Sequence, residues 1–234
     1  MIATTMPATI QIAFPGIDDD CASARCTSFR CELTFRVDAP RAFEAGPSPT
    51  GIAAADVDGD GKTDLLVSLR NELSIATEPH LAVLPGRGDG TFKTPVTFAT
   101  AGFPSMLAVD DWNGDKLPDV ALPDAYSDQV AILLSDGTGG FRKSFNVFGG
   151  EGAFAVGSGD FDGDGNRDLV VGAADLVTQF GDGTGRFPGS SRGRFGAIRA
   201  LAVGDWNGDK IDDVVAADDG GRVLVLLGQR LAGW

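Results

Sequence analysis

One histidine (His80) and one tyrosine (Tyr126) in 234 residues leave little material for proton-transfer chemistry, and the five glutamates, Glu32, Glu44, Glu72, Glu78 and Glu151, are scattered. A His-based triad and a glutamate-based glycosidase pair therefore have no clear footing, and a non-catalytic protein is expected. His80, beside Pro79, is read as a solvated loop residue. No apolar run reaches eighteen residues, so no spanning helix is encoded. The N-terminus, MIATTMPATIQIAFPG, has no Lys or Arg and no continuous apolar centre, unlike a signal peptide. Positive charge is scarce too: 19 Lys and Arg against 33 Asp and Glu give a formal net charge of −14, which argues against nucleic acid or an anionic membrane surface as partner. Three cysteines, Cys21, Cys26 and Cys31, permit one disulfide with a thiol left over, whereas zinc would need a fourth ligand.

What the chain has in quantity is aspartate and glycine, arranged in a pattern that occurs four times. The pattern is D-x-D/N-G-D-x-x-x-D, starting at Asp56, Asp111, Asp160 and Asp205. A hard cation needs six to eight oxygens from a tightly curled backbone, and offsets 1, 3, 5 and 9 supply carboxylates and amides. The candidate ligands are Asp56, Asp58, Asp60 and Asp64; Asp111, Asn113, Asp115 and Asp119; Asp160, Asp162, Asp164 and Asp168; and Asp205, Asn207, Asp209 and Asp213. A backbone carbonyl near offset 7, from Lys62, Leu117, Asn166 and Ile211, would complete each shell. Calcium is the expected ion. Four bound ions would neutralise eight of the fourteen excess negative charges, so the acidity is largely a signature of the metal sites.

Glycine at offset 4 permits a turn that a Cβ resists. Offset 6 is Gly61 and Gly165 in copies one and three but Lys116 and Lys210 in copies two and four. If that position requires positive φ, the lysines sit there at a cost and sites two and four are the weaker. An EF-hand is excluded, because its twelfth position must be a bidentate Glu and here it is Val67, Leu122, Val171 or Ala216. Short apolar, β-branched runs follow each loop (DLLVSL, DVALP, DLVVGA, DVVAA), and apolar runs precede it. Each loop therefore joins two strands of a hairpin.

Loop starts spaced by 55, 49 and 45 residues have the period of propeller blades or solenoid arrays. A second signature closes three of the units, GRGDGTF, SDGTGGF and FGDGTGRF, each after an apolar strand. Asp-Gly here is hairpin chemistry, and the phenylalanine after it is read as a core plug. Each unit is thus strand, acidic loop, strand, turn, strand, DG turn, strand. The expected fold is an all-β propeller of four-stranded antiparallel blades, with repeats at about 46–100, 101–149, 150–196 and 197–234; the last lacks its final strand. An insertion, NELSIATEPH (71–80), lengthens the first unit. Residues 1–45 hold strand-like pieces at Thr9–Phe14 and Cys31–Val37, either a degenerate fifth repeat or a separate appendage, and RAFEAG (41–46) is read as the last strand before the first full repeat.

From Gly51 to Gly228 the chain resembles the FG-GAP or VCBS repeats of integrin alpha subunits, a fungal lectin and many bacterial extracellular proteins. The resemblance implies Ca²⁺ in the loops and a ring of typically seven blades. Four clear repeats, or five with residues 1–45, fall short of seven, so closure would need a small ring, an assembly of two chains or a ring left incomplete. The expected function is a calcium-stabilised, non-catalytic module for extracellular recognition of carbohydrate or protein. The alternative is a non-catalytic part of a secreted polysaccharide-degrading enzyme, or an enzyme with an unrecognised site. Trp112 and Trp206 at offset 2 either stack on sugar or pack on a neighbouring blade. Arg186, Arg192, Arg194 and Arg199 form the one basic concentration, fit for an anionic ligand or simply solubilising.

Overall fold

Alternating apolar residues on either side of each acidic loop form the first two strands of four antiparallel sheets. The computed structural model describes residues 26–27, 30–31, 41–70, 79–100 and 103–230. The chain divides into two units, Met1–Ala42 and Phe43–Trp234. In the first, β1 (Cys26–Thr27) pairs antiparallel with β2 (Arg30–Cys31). The strand expected at Thr9–Phe14, and all but Cys31 of that at Cys31–Val37, lie outside the described residues.

The second unit holds the repeats. Blade 1 is β3 (Pro49–Ala55), β4 (Asp64–Leu69), β5 (Pro79–Leu84) and β6 (Val96–Ala99). Blade 2 is β7 (Ala108–Asp110), β8 (Asp119–Asp124), β9 (Gln129–Ser135) and β10 (Phe141–Phe148). Blade 3 is β11 (Ala155–Gly159), β12 (Asp168–Gly172), β13 (Leu176–Phe180) and β14 (Gly189–Gly193). Blade 4 has β15 (Ile198–Gly204), β16 (Asp213–Asp218) and β17 (Val223–Leu226), three strands among the described residues. Within each sheet the strands are hydrogen-bonded in chain order, the meander of a propeller blade. The first strands of successive blades touch in sequence, β3 with β7, β7 with β11, and β11 with β15.

Blades meet face to face, and three apolar layers hold them. Leu66, Leu81 and Val83 of blade 1 pack with Val120, Leu122 and Leu133 of blade 2. Ala121, Val130 and Ile132 face Val156, Leu169 and Val171 of blade 3. Val170 and Leu176 face Ile198, Val214 and Ala216 of blade 4. The residue at loop offset 2 enters the same layer as the outward face of its blade: Val57, Trp112 and Phe161. The phenylalanines after the DG turns close the layer on the preceding blade, with Phe141 edge-on to Phe98 at 5.0 Å and Phe187 edge-on to Trp112 at 6.5 Å.

Two readings change. RAFEAG is not a strand: 41–46 is irregular, and it ends at Gly46 (φ 134°) and Pro47, which has no N–H to give a ladder. This segment instead lays Phe43 against Phe92 (5.1 Å, edge to face) and Ala45 against the apolar cluster of Val67, Leu69, Ala82 and Leu84. His80 is not a solvated loop residue but lies buried on β5. The inserted residues 71–78 lie outside the described set.

Because Trp112 fills the layer between blades 2 and 3, Trp112→Ala should lower unfolding free energy by about 3–5 kcal/mol in urea titration. Val96→Ala, on an exposed part of β6, should stay within about 0.5 kcal/mol. Equal effects would contradict the packing described.

Candidate metal centres

Each loop curls because a carboxylate at offset 1 gathers backbone N–H groups that a strand would otherwise leave unpaired. In the second loop the N–H of Gly114 donates to Asp111 Oδ1 (2.7 Å) and that of Lys116 to Asp111 Oδ2 (2.8 Å). The third loop repeats this with Gly163 and Gly165 on Asp160 (2.7 and 3.0 Å), and the fourth with Gly208 and Lys210 on Asp205 (2.6 and 2.9 Å). In the first loop Gly61 donates to Asp56 Oδ2 (2.9 Å). Such closure requires left-handed backbone at offsets 4 and 6. Gly59, Gly114, Gly163 and Gly208 all have positive φ, and so do Gly61, Lys116 (67°), Gly165 and Lys210 (70°). The two lysines adopt a conformation that L side chains take at a cost.

Offset 5 is tied to its own loop. The N–H of the offset-7 residue donates to it in every copy: Lys62 to Asp60, Leu117 to Asp115, Asn166 to Asp164 and Ile211 to Asp209. The Lys62 ammonium also reaches Asp60 Oδ2 at 2.8 Å and holds that carboxyl below the usual range. Offset 3 accepts the offset-5 N–H, as in Asp115 to Asn113 and Asp209 to Asn207 (both 2.9 Å).

Offset 9 does something the sequence did not reveal. Asp64, Asp119, Asp168 and Asp213 are all buried, and each accepts two backbone N–H bonds with its two oxygens. One comes from offset 2 across the loop: Val57, Trp112, Phe161 and Trp206, at 2.9 to 3.1 Å. The other comes from the end of the third strand: Gly86, Ser135, Gly181 and Gly228, at 2.7 to 2.9 Å. This aspartate therefore staples the loop to the blade. Burial, opposed by those two bonds, pushes the Asp119 carboxyl up to about 6 and Asp168 up to about 7.

The structure brings two trios of carboxylates together. Oxygens of Asp56, Asp58 and Asp60 lie within 4.8 Å of one another, and so do those of Asp160, Asp162 and Asp168. Loop three thus recruits its buried aspartate, whereas loop one gathers offsets 1, 3 and 5. Loops two and four, with asparagine at offset 3, form no trio of acidic groups among the described residues. The donor set is entirely hard oxygen, which fits a calcium-class ion better than zinc or copper.

The loops sit on the blade seams. The N–H of Gly185, in the DG turn of blade 3, donates to the Trp112 carbonyl of loop two (2.8 Å), and Gln229 donates to Phe161 of loop three (3.1 Å). Asp212 accepts the N–H of Asp160 (3.0 Å) and pairs with Arg167 (3.0 Å), which also reaches Asp110 (3.3 Å). These cross-blade partners escaped the sequence reading because nothing in their local spacing marks them. Trp112 packs on the neighbouring blade, its Nε1 donating to Ser158 Oγ (3.1 Å), whereas Trp206 is exposed. Of the four arginines, Arg192 is paired to Asp175 and Arg199 to Asp219.

The FG-GAP-like repeat family matches residues 111–171 and the FG-GAP repeat family matches residues 48–68. These two segments carry FG-GAP repeats. Solved structures resemble it in fold. A lectin of Agrocybe aegerita, described as recognising non-reducing terminal N-acetylglucosamine, is 23% identical, with TM-score 0.51, over 75% of this chain and 51% of that one. BBS1N, in complex with ARL6DN, is 16% identical, with TM-score 0.55, over 80% and 54%. The exotype rhamnogalacturonan lyase YesX is 18% identical, with TM-score 0.48, over 76% and 41%. This chain spans about half the length of the first two.

Asp119 and Asp168 bind protons more tightly folded than unfolded, so their contribution is fully present below about pH 4 and is lost as pH rises through about 6 and 7. The urea midpoint of metal-stripped protein should therefore fall between pH 4 and 7. A midpoint that rises over that window would contradict the burial of these two carboxylates.

Proposed function

We propose that the chain is a calcium-binding, non-catalytic propeller module for extracellular recognition of carbohydrate or protein. The observation that carries the metal reading is the convergence of three carboxylates in each of loops one and three, within 4.8 Å and tied down by backbone N–H groups. Like charges held so close repel, and a divalent cation relieves that repulsion where a backbone dipole only moderates it. The ligands are those named from the sequence, with the carbonyls of Lys62, Leu117, Asn166 and Ile211 closing each shell. Loops two and four bind more weakly, because asparagine replaces one charge in each and Lys116 and Lys210 hold strained backbone.

Calcium, when bound, supplies a hard divalent centre that neutralises the loop. The chain's own groups do the rest. Offset 1 sets the curl, offset 9 anchors the loop to its blade, and the DG turn of the following blade braces the seam. With most coordination positions filled by protein, the ion is structural rather than a bridge to ligand. The recognition role is supported by the scarcity of catalytic groups and by the likeness in fold to a lectin. An extracellular setting, where free calcium is abundant, suits such sites.

Calorimetry of dialysed protein should find about four calcium sites in two affinity classes; fewer than two would refute the loop assignment. Calcium at a hundredfold excess over Kd adds about 2.7 kcal/mol per site, so the melting temperature should rise. Asp164→Ala should reduce that rise, whereas Asp175→Ala, outside every loop, should retain it. A glycan array probed with and without calcium tests the recognition role: calcium-dependent binding to a defined glycan is expected, and turnover of a polysaccharide panel would overturn the non-catalytic reading.

A further inference from the structure

Loops one and three seat their offset-5 carboxylate in the same way but with different chemistry. In loop one the Lys62 N–H donates to Asp60 Oδ1 (2.9 Å) and Lys62 Nζ to Asp60 Oδ2 (2.8 Å). In loop three the Asn166 N–H donates to Asp164 Oδ1 (2.7 Å) and Asn166 Nδ2 to Asp164 Oδ2 (2.8 Å). The residue at offset 7 thus caps the same two oxygens in both loops, once with an ammonium and once with a neutral amide. Leu117 and Ile211 bring no side-chain donor to that position in loops two and four.

The Lys62 ammonium stands where the converging carboxylates call for positive charge. Asp60 is a member of the loop-one trio, and a second ammonium, Lys93 Nζ, lies 4.0 Å from another member, Asp58. The trio of loop three has no such guest. Its offset-5 carboxylate lies outside the trio, Arg167 is turned to Asp110 and Asp212, and among the described residues no Lys or Arg pairs with Asp160, Asp162 or Asp168. Lys62 and Asp60 are both partly exposed, so their bond is weak and a divalent ion can take the carboxylate from it. The displaced ammonium stays tethered beside the ion, and its repulsion persists. We propose that Lys62 is a built-in competitor for the ion of loop one, which makes loop one the exchangeable calcium site and loop three the tight one. The proposal rests on the reading of the loops as calcium sites. Offset 7 then contributes its carbonyl to the shell and sets the affinity through its side chain. An ammonium about 5 Å from a divalent ion in water weakens binding roughly tenfold.

The test is a calcium titration of the full chain followed by nuclear magnetic resonance, with the offset-6 amides of Gly61 and Gly165 reporting loops one and three separately. Gly165 should reach its midpoint at roughly one tenth of the calcium that Gly61 requires. Lys62→Asn gives loop one the offset-7 residue of loop three and should lower the Gly61 midpoint roughly tenfold. Asn166→Lys should raise the Gly165 midpoint by a similar factor and leave Gly61 unchanged. Lys62→Met should match Lys62→Asn, since it removes the charge without supplying an amide. Arg194→Met takes the same charge from the chain just after β14 and should leave the Gly61 midpoint where it was. Equal midpoints in the wild type, or a Gly61 midpoint that Lys62→Asn and Lys62→Met leave unchanged, overturn the proposal while the calcium reading stands. So does a gain from Lys62→Asn that Lys62→Met fails to reproduce, or one that Arg194→Met also gives. Amides that calcium moves in neither loop overturn both the proposal and the reading beneath it.

Discussion

The constraint on which the blades depend is a buried carboxylate with two backbone N–H donors. At Asp64, Asp119, Asp168 and Asp213 one bond closes the acidic loop and the other fixes the end of the third strand. A buried charge is tolerable only when its oxygens are satisfied. The same two bonds set the angle at which offset 2 leaves the loop and so drive Val57, Trp112 and Phe161 into the next blade. Loop, sheet and seam therefore share one anchor, and loss of a donor in any of them strands a buried acceptor.

Around that anchor the rest of the loop is electrostatically unfinished. Offsets 1, 3 and 5 have gathered the available N–H groups, and carboxylate oxygens still converge in loops one and three. Nearby cations compensate only in part: Lys62 at Asp60, Lys93 at 4.0 Å from Asp58, and Arg167 between Asp110 and Asp212. Loop one separates the two: offset 9 is the anchor, and the oxygens that converge are those of offsets 1, 3 and 5. Loop three departs from it, since there the anchoring Asp168 also joins the trio.

Much of this was legible because the acidic loops place Asp, Asn and Gly at fixed offsets. The hairpins and the four-fold repeat followed from spacing and apolar runs. Positive φ at Lys116 and Lys210 followed from Gly61 and Gly165 at the same offset. Other features left no local mark. β14 reads GSSRG and has no strand propensity of its own; its ladder to β13 holds it extended. The burial of the offset-9 aspartates depends on donors from the far end of the third strand, such as Gly181 for Asp168, and the bond from Gly185 to Trp112 crosses between blades. His80 looked solvated because it ends an insertion and follows a proline, but it lies buried on β5, where the pairing with β6 shifts register between Pro79 and Leu81.

Hydrogen exchange read amide by amide, with and without calcium, tests most directly whether one aspartate folds each loop while the others await a cation. The amides of Gly86, Ser135, Gly181 and Gly228 should be protected in both conditions, because they are bonded to buried carboxylates. Amides within the four acidic loops, such as Asp60, Asp115, Asp164 and Asp209, should gain protection only when calcium is added, most in loops one and three. Loop protection that calcium leaves unchanged, or strand-end amides that exchange as fast as the loops, would contradict the account.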